Sequence, residues 1–184
     1  MSAPISQKAP GVLAASTAAE IALAAPCARL SLRARGDLAP LNAALGLTLP
    51  TRIGQVVPAG ERQVICLGPD EWMIHAPSDD TAAIASACAD AYATLPHSLV
   101  DVSAREVTLT IKGAHAAELL TIGCARDIDG IPVGEGRRTF FDGQTVILWR
   151  DGDTAFRMDV WNSFSGHVFD LLKTGCAELA AEHA

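Results

Sequence analysis

The sequence predicts an α+β protein in which a mainly antiparallel sheet packs against helices. Residues 106–111 alternate apolar and polar side chains, as half-buried strands do. Two apolar segments, residues 145–149 and 155–160, flank Asp151-Gly152-Asp153, a strong hairpin signal that requires antiparallel pairing. An alanine-rich segment free of glycine and proline precedes Pro96 and predicts a helix that can cover the sheet.

The remaining elements follow from local start and stop signals. Asp37 caps a short helix, Gly46 ends it, and Gly113 leads into a later one that Gly123 closes. Residues 50–60 are predicted to form a loop, and the glycine-rich, charged residues 127–138 an exposed connection. In chain order, strands are predicted at residues 28–34, 64–67, 72–75, 97–102, 106–111, 145–149 and 155–160, and helices at 38–45, 78–95, 114–122 and 164–181.

The chain has 184 residues, enough for one domain with a substantial core. Residues 1–26 contain few large hydrophobic side chains and are predicted to be a flexible Ala/Pro-rich tail. Residues 27–184 are predicted to form the α+β domain, divisible into two small lobes at about 27–98 and 99–184.

Composition bears on the class of partner and the compartment. A net charge of −7 argues against a nucleic acid or an anionic membrane as partner. The five cysteines are widely spaced, which favours reduced thiols over a metal site, and no metal is predicted. Glu20 interrupts the apolar residues near the start, so we reject a signal peptide. We expect a soluble, cytoplasmic protein.

The sequence contains no recognisable catalytic constellation, and we predict no catalytic residue. The glycines at 130, 134 and 136 lack the strand and helix of a nucleotide-binding loop. The five histidines are isolated from one another, and the adjacent acid pairs occupy a turn and a helix start, where acids are favoured without catalysis.

A few residues remain as binding candidates. Asp101 and Arg105 lie on one side of an extended segment, where a fixed Asp–Arg geometry would brace a lobe or, less favourably, present an anion site. Arg137 and Arg138 would contact a partner's acidic surface or remain a solvated charge pair. Aromatic and arginine side chains dominate interface hot spots, so the candidates for partner contact are Trp72, Arg137, Arg138 and Trp161.

A series of short motifs resembles the gamma subunit family of heterotetrameric sarcosine oxidase. The turn LGPDEW at residues 67–72 is the most informative of them. The other motifs occupy residues 29–50, 100–120, 122–139 and 160–172, in the same order as in the family. The resemblance therefore covers roughly residues 27–180. Residues 111–120 also resemble the folate-binding domain of the glycine-cleavage T-protein, which implies ferredoxin-like lobes.

The resemblance implies a non-catalytic structural subunit of an enzyme that oxidatively demethylates sarcosine. That reaction yields glycine and hydrogen peroxide and passes the one-carbon unit to tetrahydrofolate. FAD, FMN, NAD and tetrahydrofolate are expected on other subunits, and the large alpha subunit is the expected main partner. The alternatives are a free-standing homodimer and a stand-alone folate- or pterin-binding, aminomethyltransferase-like module. In the last case, Arg105 or Arg137 would meet the glutamate tail.

Overall fold

The computed structural model describes Ile5 and residues 8–183. These residues form an α+β fold with strands β1 (Gly11–Ala15), β2 (Glu20–Leu23), β3 (Ala28–Ala34), β4 (Val56–Ala59), β5 (Arg62–Gly68), β6 (Glu71–Ala76), β7 (His97–Asp101), β8 (Glu106–Lys112), β9 (Glu135–Phe141), β10 (Gln144–Gly152) and β11 (Ala155–Trp161). The helices are α1 (Ala39–Leu45), α2 (Thr81–Ala91), α3 (Ala116–Thr121) and α4 (Asn162–Glu182), and Ser78–Asp80 form a 3₁₀ turn. The predicted α+β class is confirmed.

The chain divides into two compact units, and the first comprises Cys27–Ser103. Its antiparallel sheet has the strand order β4-β5-β6-β3-β7. Leu30, Leu32 and Ile74 of the sheet share one apolar core with Leu41 of α1 and Ile84 of α2. The chain order β3-α1-β5-β6-α2-β7, with β3 between β6 and β7, is the ferredoxin-like arrangement, to which β4 adds an edge strand.

The second unit comprises the N-terminal residues up to Pro26 and the residues from Ala104 onward. Its antiparallel sheet has the order β1-β2-β8-β11-β10-β9, and its core joins that sheet to α3 and α4. The segment β8-α3-β10-β11-α4 repeats the arrangement of the first unit, with β9 as the added edge strand. The position that β7 fills in the first unit is taken here by β2, which comes from the chain's beginning.

The prediction of a flexible tail is therefore wrong for residues 11–15 and 20–23, which are strands β1 and β2. Ile21 pairs with Ile111 of β8 and is fully buried in the core. At Gly113, which follows β8 with φ +140°, an added Cβ would lie 2.6 Å from the carbonyl oxygen of Ala18. This close backbone approach holds the loop before β2 against the sheet. Residues 1–4 and 6–7 lie outside the described residues.

Four further features differ from the sequence predictions. Strand β4 lies in the predicted loop at residues 50–60, and β9 begins inside the predicted connection at 127–138. The second predicted helix is shorter, since a 3₁₀ turn precedes α2. The two units divide after Ser103, whereas the predicted lobes divide after residue 98.

The four α-helices leave no candidate membrane span. Within residues 8–183, no helix combines the length and the hydrophobicity needed to cross a bilayer.

Candidate partner-binding surface

The LGPDEW turn, which carries the strongest family signal, is part of the first unit's framework. Asp70 lies in the turn between β5 and β6 and accepts hydrogen bonds from Arg33 Nη2 at 2.9 Å and Arg35 Nε at 2.7 Å. Its backbone carbonyl also accepts from the N–H of Ala34. The motif thus fixes the β5–β6 turn to the end of β3.

The charge balance of this turn sets the pKa of Asp70. The hydrogen bond from Arg35 is the main cause that lowers the pKa from 3.8, and Arg33 adds to it against the opposing effect of burial. A lowered folded-state pKa stabilises the folded chain above the unfolded pKa, and this stabilisation disappears as the pH falls through the folded value.

We expect the variant Asp70→Asn to be less stable than the natural chain at neutral pH and indistinguishable from it in strong acid. Urea unfolding midpoints measured from neutral pH to below pH 3.8 check this, since the difference between the two proteins should shrink only in the acidic part of the series. A constant difference across the series would assign the effect to turn geometry instead of charge.

Trp72, predicted as a partner-contact residue, is part of the core. It is 2% exposed, and its Nε1 donates a 2.7 Å hydrogen bond to the carbonyl oxygen of Pro50. The prediction that Trp72 contacts a partner is therefore corrected. Alternation along β6 allows either direction for this side chain, and the bonding partner, which lies 22 residues earlier, was not visible from the motif.

Asp101 and Arg105, predicted to form a braced pair, have separate partners. Asp101 Oδ1 accepts hydrogen bonds from the backbone N–H and the hydroxyl of Ser103, which lower the pKa of Asp101. The Ser103 hydroxyl in turn accepts from the N–H of Arg29. Arg105 donates instead to Glu106 Oε1, at 2.7 Å from Nη2. Asp101 thus organises a turn, and Arg105 belongs to another surface.

The predicted pair Arg137 and Arg138 lies on β9, which pairs with β10 at the edge of its sheet. Arg137 donates to the carbonyl oxygen of Gly136 and lies 3.0 Å from Glu135, so its charge is balanced within its own strand. Arg138 is exposed, as is Phe140 two residues later on the same side of the strand. Phe140 was not singled out from the sequence.

A contiguous exposed group of aromatic and cationic side chains lies where β11 passes into α4. We call it the Trp161 surface, and it consists of Arg105, Trp161 and Phe164. The two aromatic rings stack with centroids 6.3 Å apart and planes at 28°. The Arg105 guanidinium lies 5.3 Å from the Trp161 ring centroid. Trp161 is 43% exposed and Phe164 38%, so both offer apolar area that the described residues leave uncovered.

The local sequence explains why Trp161 faces outward. Phe156, Met158 and Val160 alternate along β11 toward the core, which directs the neighbouring positions to the other side of the sheet. The backbone N–H of Asn162 then bonds to the carbonyl oxygen of Arg105 at 2.8 Å, which fixes the start of α4 beside β8. The surface is therefore held by sheet and helix, a rigid support for binding.

A buried polar network lies on the same sheet. Asp159 on β11 accepts hydrogen bonds from the Thr108 hydroxyl and, at 2.6 Å, from Trp149 Nε1. Arg157 lies over the Trp149 ring at 4.7 Å and donates to both carboxylate oxygens of Asp151. These contacts join β8, β10 and β11 through side chains that the sequence analysis did not connect.

The thiols and histidines show where reactive groups lie. Burial raises the pKa of Cys66 and Cys88, which keeps these thiols protonated and weakly nucleophilic.

The prediction that the histidines are isolated is wrong for His115 and His183, whose ring centroids lie 3.8 Å apart in a stack beside Glu118. Each of these three side chains has one potential metal-ligand atom, and these atoms lie within 4.8 Å of one another.

Structural comparison first defines the class of fold. A chain of heterotetrameric sarcosine oxidase from Corynebacterium sp. U-96 superposes with a TM-score of 0.81 at 28% identity, covering 92% of this chain and 89% of that one. The glycine cleavage aminomethyltransferase T from Bartonella henselae superposes with a TM-score of 0.55 at 16% identity, covering 79% of this chain and 43% of that one. The second match shows a shared fold, and the predicted T-protein-like architecture is confirmed.

The sequence comparisons give the family. The model of the sarcosine oxidase gamma subunit family matches residues 34–178. The sarcosine oxidase gamma subunit of Corynebacterium sp. strain U-96 is 31% identical over 78% of this chain and 70% of its own length. That of Arthrobacter sp. is 30% identical over 88% of this chain and 80% of its own length. The chain belongs to the sarcosine oxidase gamma subunit family.

Proposed function

We propose that this chain is a non-catalytic structural subunit of a heterotetrameric sarcosine oxidase and that the Trp161 surface contacts another subunit of the complex. The observation that carries the second part is the rigid, exposed pair Trp161 and Phe164 with Arg105 beside it. Tryptophan and arginine are the side chains on which interface energy concentrates. The structural match to a chain of a heterotetrameric sarcosine oxidase supports the first part.

The chemistry of the complex belongs, in this proposal, to the other subunits. FAD, FMN, NAD and tetrahydrofolate bind there, and the large alpha subunit is the main partner of this chain. Sarcosine is demethylated to glycine with release of hydrogen peroxide, and the one-carbon unit passes to tetrahydrofolate. The present chain contributes a shaped surface, in keeping with its buried, protonated thiols Cys66 and Cys88. A cytoplasmic location fits the five free cysteines.

Co-expression tests the proposal. The chain is produced with and without the three other oxidase subunits, and size-exclusion chromatography with sarcosine-dependent peroxide release is measured for each preparation. We expect one complex that contains the chain, activity in that complex, and none from the chain alone supplied with flavin. A fully assembled, active complex without this chain, or turnover by the chain alone, would contradict it.

The folate-binding alternative would use Arg105 or Arg137 for the glutamate tail. Both guanidinium groups already have a carboxylate partner in this structure, Glu106 and Glu135 respectively. A folate tail would have to displace these partners, which favours the structural role. Titration of the purified chain with tetrahydrofolate separates the two, because saturable binding at tens of micromolar (roughly −6 kcal/mol) is expected only of a folate-binding module.

A further inference from the structure

Three metal-ligand side chains converge at the surface of the second unit, where α3 begins and α4 ends. His115 Nδ1 lies 3.0 Å from Glu118 Oε2, and His183 Nε2 lies 3.4 Å from the same oxygen. All the ligand atoms lie within 4.8 Å of one another. Two donors on one tetrahedral zinc ion stand about 3.3 Å apart, since each lies roughly 2.0–2.1 Å from the metal. The two imidazole rings are stacked with their planes 20° apart, so one ring has to rotate about its Cβ–Cγ bond to direct its nitrogen at the same ion. We propose that His115, Glu118 and His183 form a binding site for a divalent transition-metal ion such as zinc.

Two of these ligands are placed by α3. His115 immediately precedes the helix and Glu118 lies in its first turn, three residues later, so both side chains occupy one side of the helix. The turn is fixed by the hydrogen bond from the Leu119 N–H to the His115 carbonyl oxygen at 2.8 Å. The Thr121 hydroxyl bonds to the Glu118 carbonyl oxygen at 2.7 Å. The spacing of the two ligands is therefore set by helical backbone.

The third ligand is placed by α4. Leu172, Cys176 and Leu179 are buried on one face of this helix, and His183 continues that face by one more turn. The helices approach closely at Gly175, where an added Cβ would lie 2.7 Å from Ile122 Cδ1 and 3.0 Å from Leu119 Cδ1. Helix packing thus carries His183 over the start of α3.

The chemistry of the set suits a borderline-soft ion. Imidazole nitrogens and a carboxylate oxygen bind zinc, and imidazole also binds nickel and copper. The side chains of His115, Glu118 and His183 are 29%, 49% and 41% exposed, so an ion can enter from solvent and keep water in its fourth position. A bound ion would link the end of α4 to α3, beyond the assembly role proposed above.

Metal titration of the full chain tests the site. Zinc is added to the purified protein, and binding is followed by calorimetry and by thermal unfolding. We expect one ion per chain with micromolar affinity and a rise in the unfolding temperature. His115→Ala and His183→Ala should each weaken binding by at least about tenfold. Cobalt in place of zinc should show visible d–d bands without thiolate charge transfer.

Two matched variants are the controls. His167→Ala removes a histidine that also pairs with a carboxylate, Asp142 at 2.6 Å, but outside this group. Cys27→Ser removes the one cysteine of the five that is not buried. Both should bind zinc as the natural chain does. Equal binding by the His115 and His183 variants, or no saturable binding, would overturn the site. Because these measurements use the chain alone, failure here is distinct from failure of complex assembly.

Discussion

Replacing Trp161 by alanine is expected to weaken assembly with the other oxidase subunits by about 30-fold, which corresponds to roughly 2 kcal/mol. The indole is the largest side chain of the Trp161 surface and already stacks with Phe164 before any partner binds. A preorganised aromatic pair loses little conformational freedom on binding, so most of its apolar burial contributes to affinity. The double variant Trp161→Ala, Phe164→Ala should lose more. Affinity is measured by titrating labelled chain with the purified remaining subunits.

The stability of the isolated chain distinguishes a role of Trp161 in the interface from a role in folding. Within the chain alone Trp161 loses its stack with Phe164 and its contact with Arg105, so its removal should lower the free energy of unfolding by only about 1–2 kcal/mol and leave the chain folded. Arg105→Lys keeps the charge beside the indole but loses the planar guanidinium, and should weaken assembly less than Arg105→Ala. Phe140→Ala, on the β9 edge strand, tests whether that strand also contacts another subunit. Unchanged affinity for the Trp161 variant would remove the Trp161 surface from the proposal.

The elements that the sequence predicted are those set by local signals. The hairpin at residues 151–153 and the alternation of β8 specify their own conformation, and helix α1 ends at Gly46 as predicted. The helix begins at Ala39 with Leu38 as its N-cap, although the Asp37 carboxylate, predicted to be the cap, does accept a hydrogen bond from the Ala39 N–H. Strand β9 had a comparable signal that was missed. Asp142-Gly143 joins β9 to β10 with φ values of 45° and 76°, the positive pair that a two-residue hairpin turn requires. The glycines that precede this turn favoured the prediction of a loop over that of a strand.

The features that the sequence did not predict depend on contacts between residues that are far apart along the chain. Strand β2 is only four residues long, and it is stabilised by pairing with β8. The alternation of Ile21 and Leu23 is too short to predict this pairing from the sequence. The convergence of His115 and His183 likewise requires α3 and α4 to pack, so the spacing of histidines along the chain is uninformative. The Trp161 surface was partly predicted: Trp161 and Arg105 were among the binding candidates, but Phe164 was not.

The largest loss of stability is expected from Asp159→Ala. The carboxylate accepts hydrogen bonds from the Thr108 hydroxyl and Trp149 Nε1, and all three residues are buried. Removing the shared acceptor breaks two buried hydrogen bonds to a carboxylate, which contribute about 1.5–3 kcal/mol each. We expect the free energy of unfolding to fall by about 3–6 kcal/mol and the unfolding temperature by roughly 6–24 °C.

Matched variants identify the cause of that loss. Asp159→Asn keeps the shape and one carbonyl acceptor for Trp149 while removing the charge, so it should cost less than alanine. Thr108→Val removes one donor and leaves the bond to Trp149 intact, which should also cost less. Urea unfolding gives the free energies, and near-ultraviolet circular dichroism reports the packing of Trp149. If asparagine and alanine at position 159 destabilised the chain equally, the lost negative charge alone would account for the effect, and the shape and the acceptor that asparagine retains would contribute nothing.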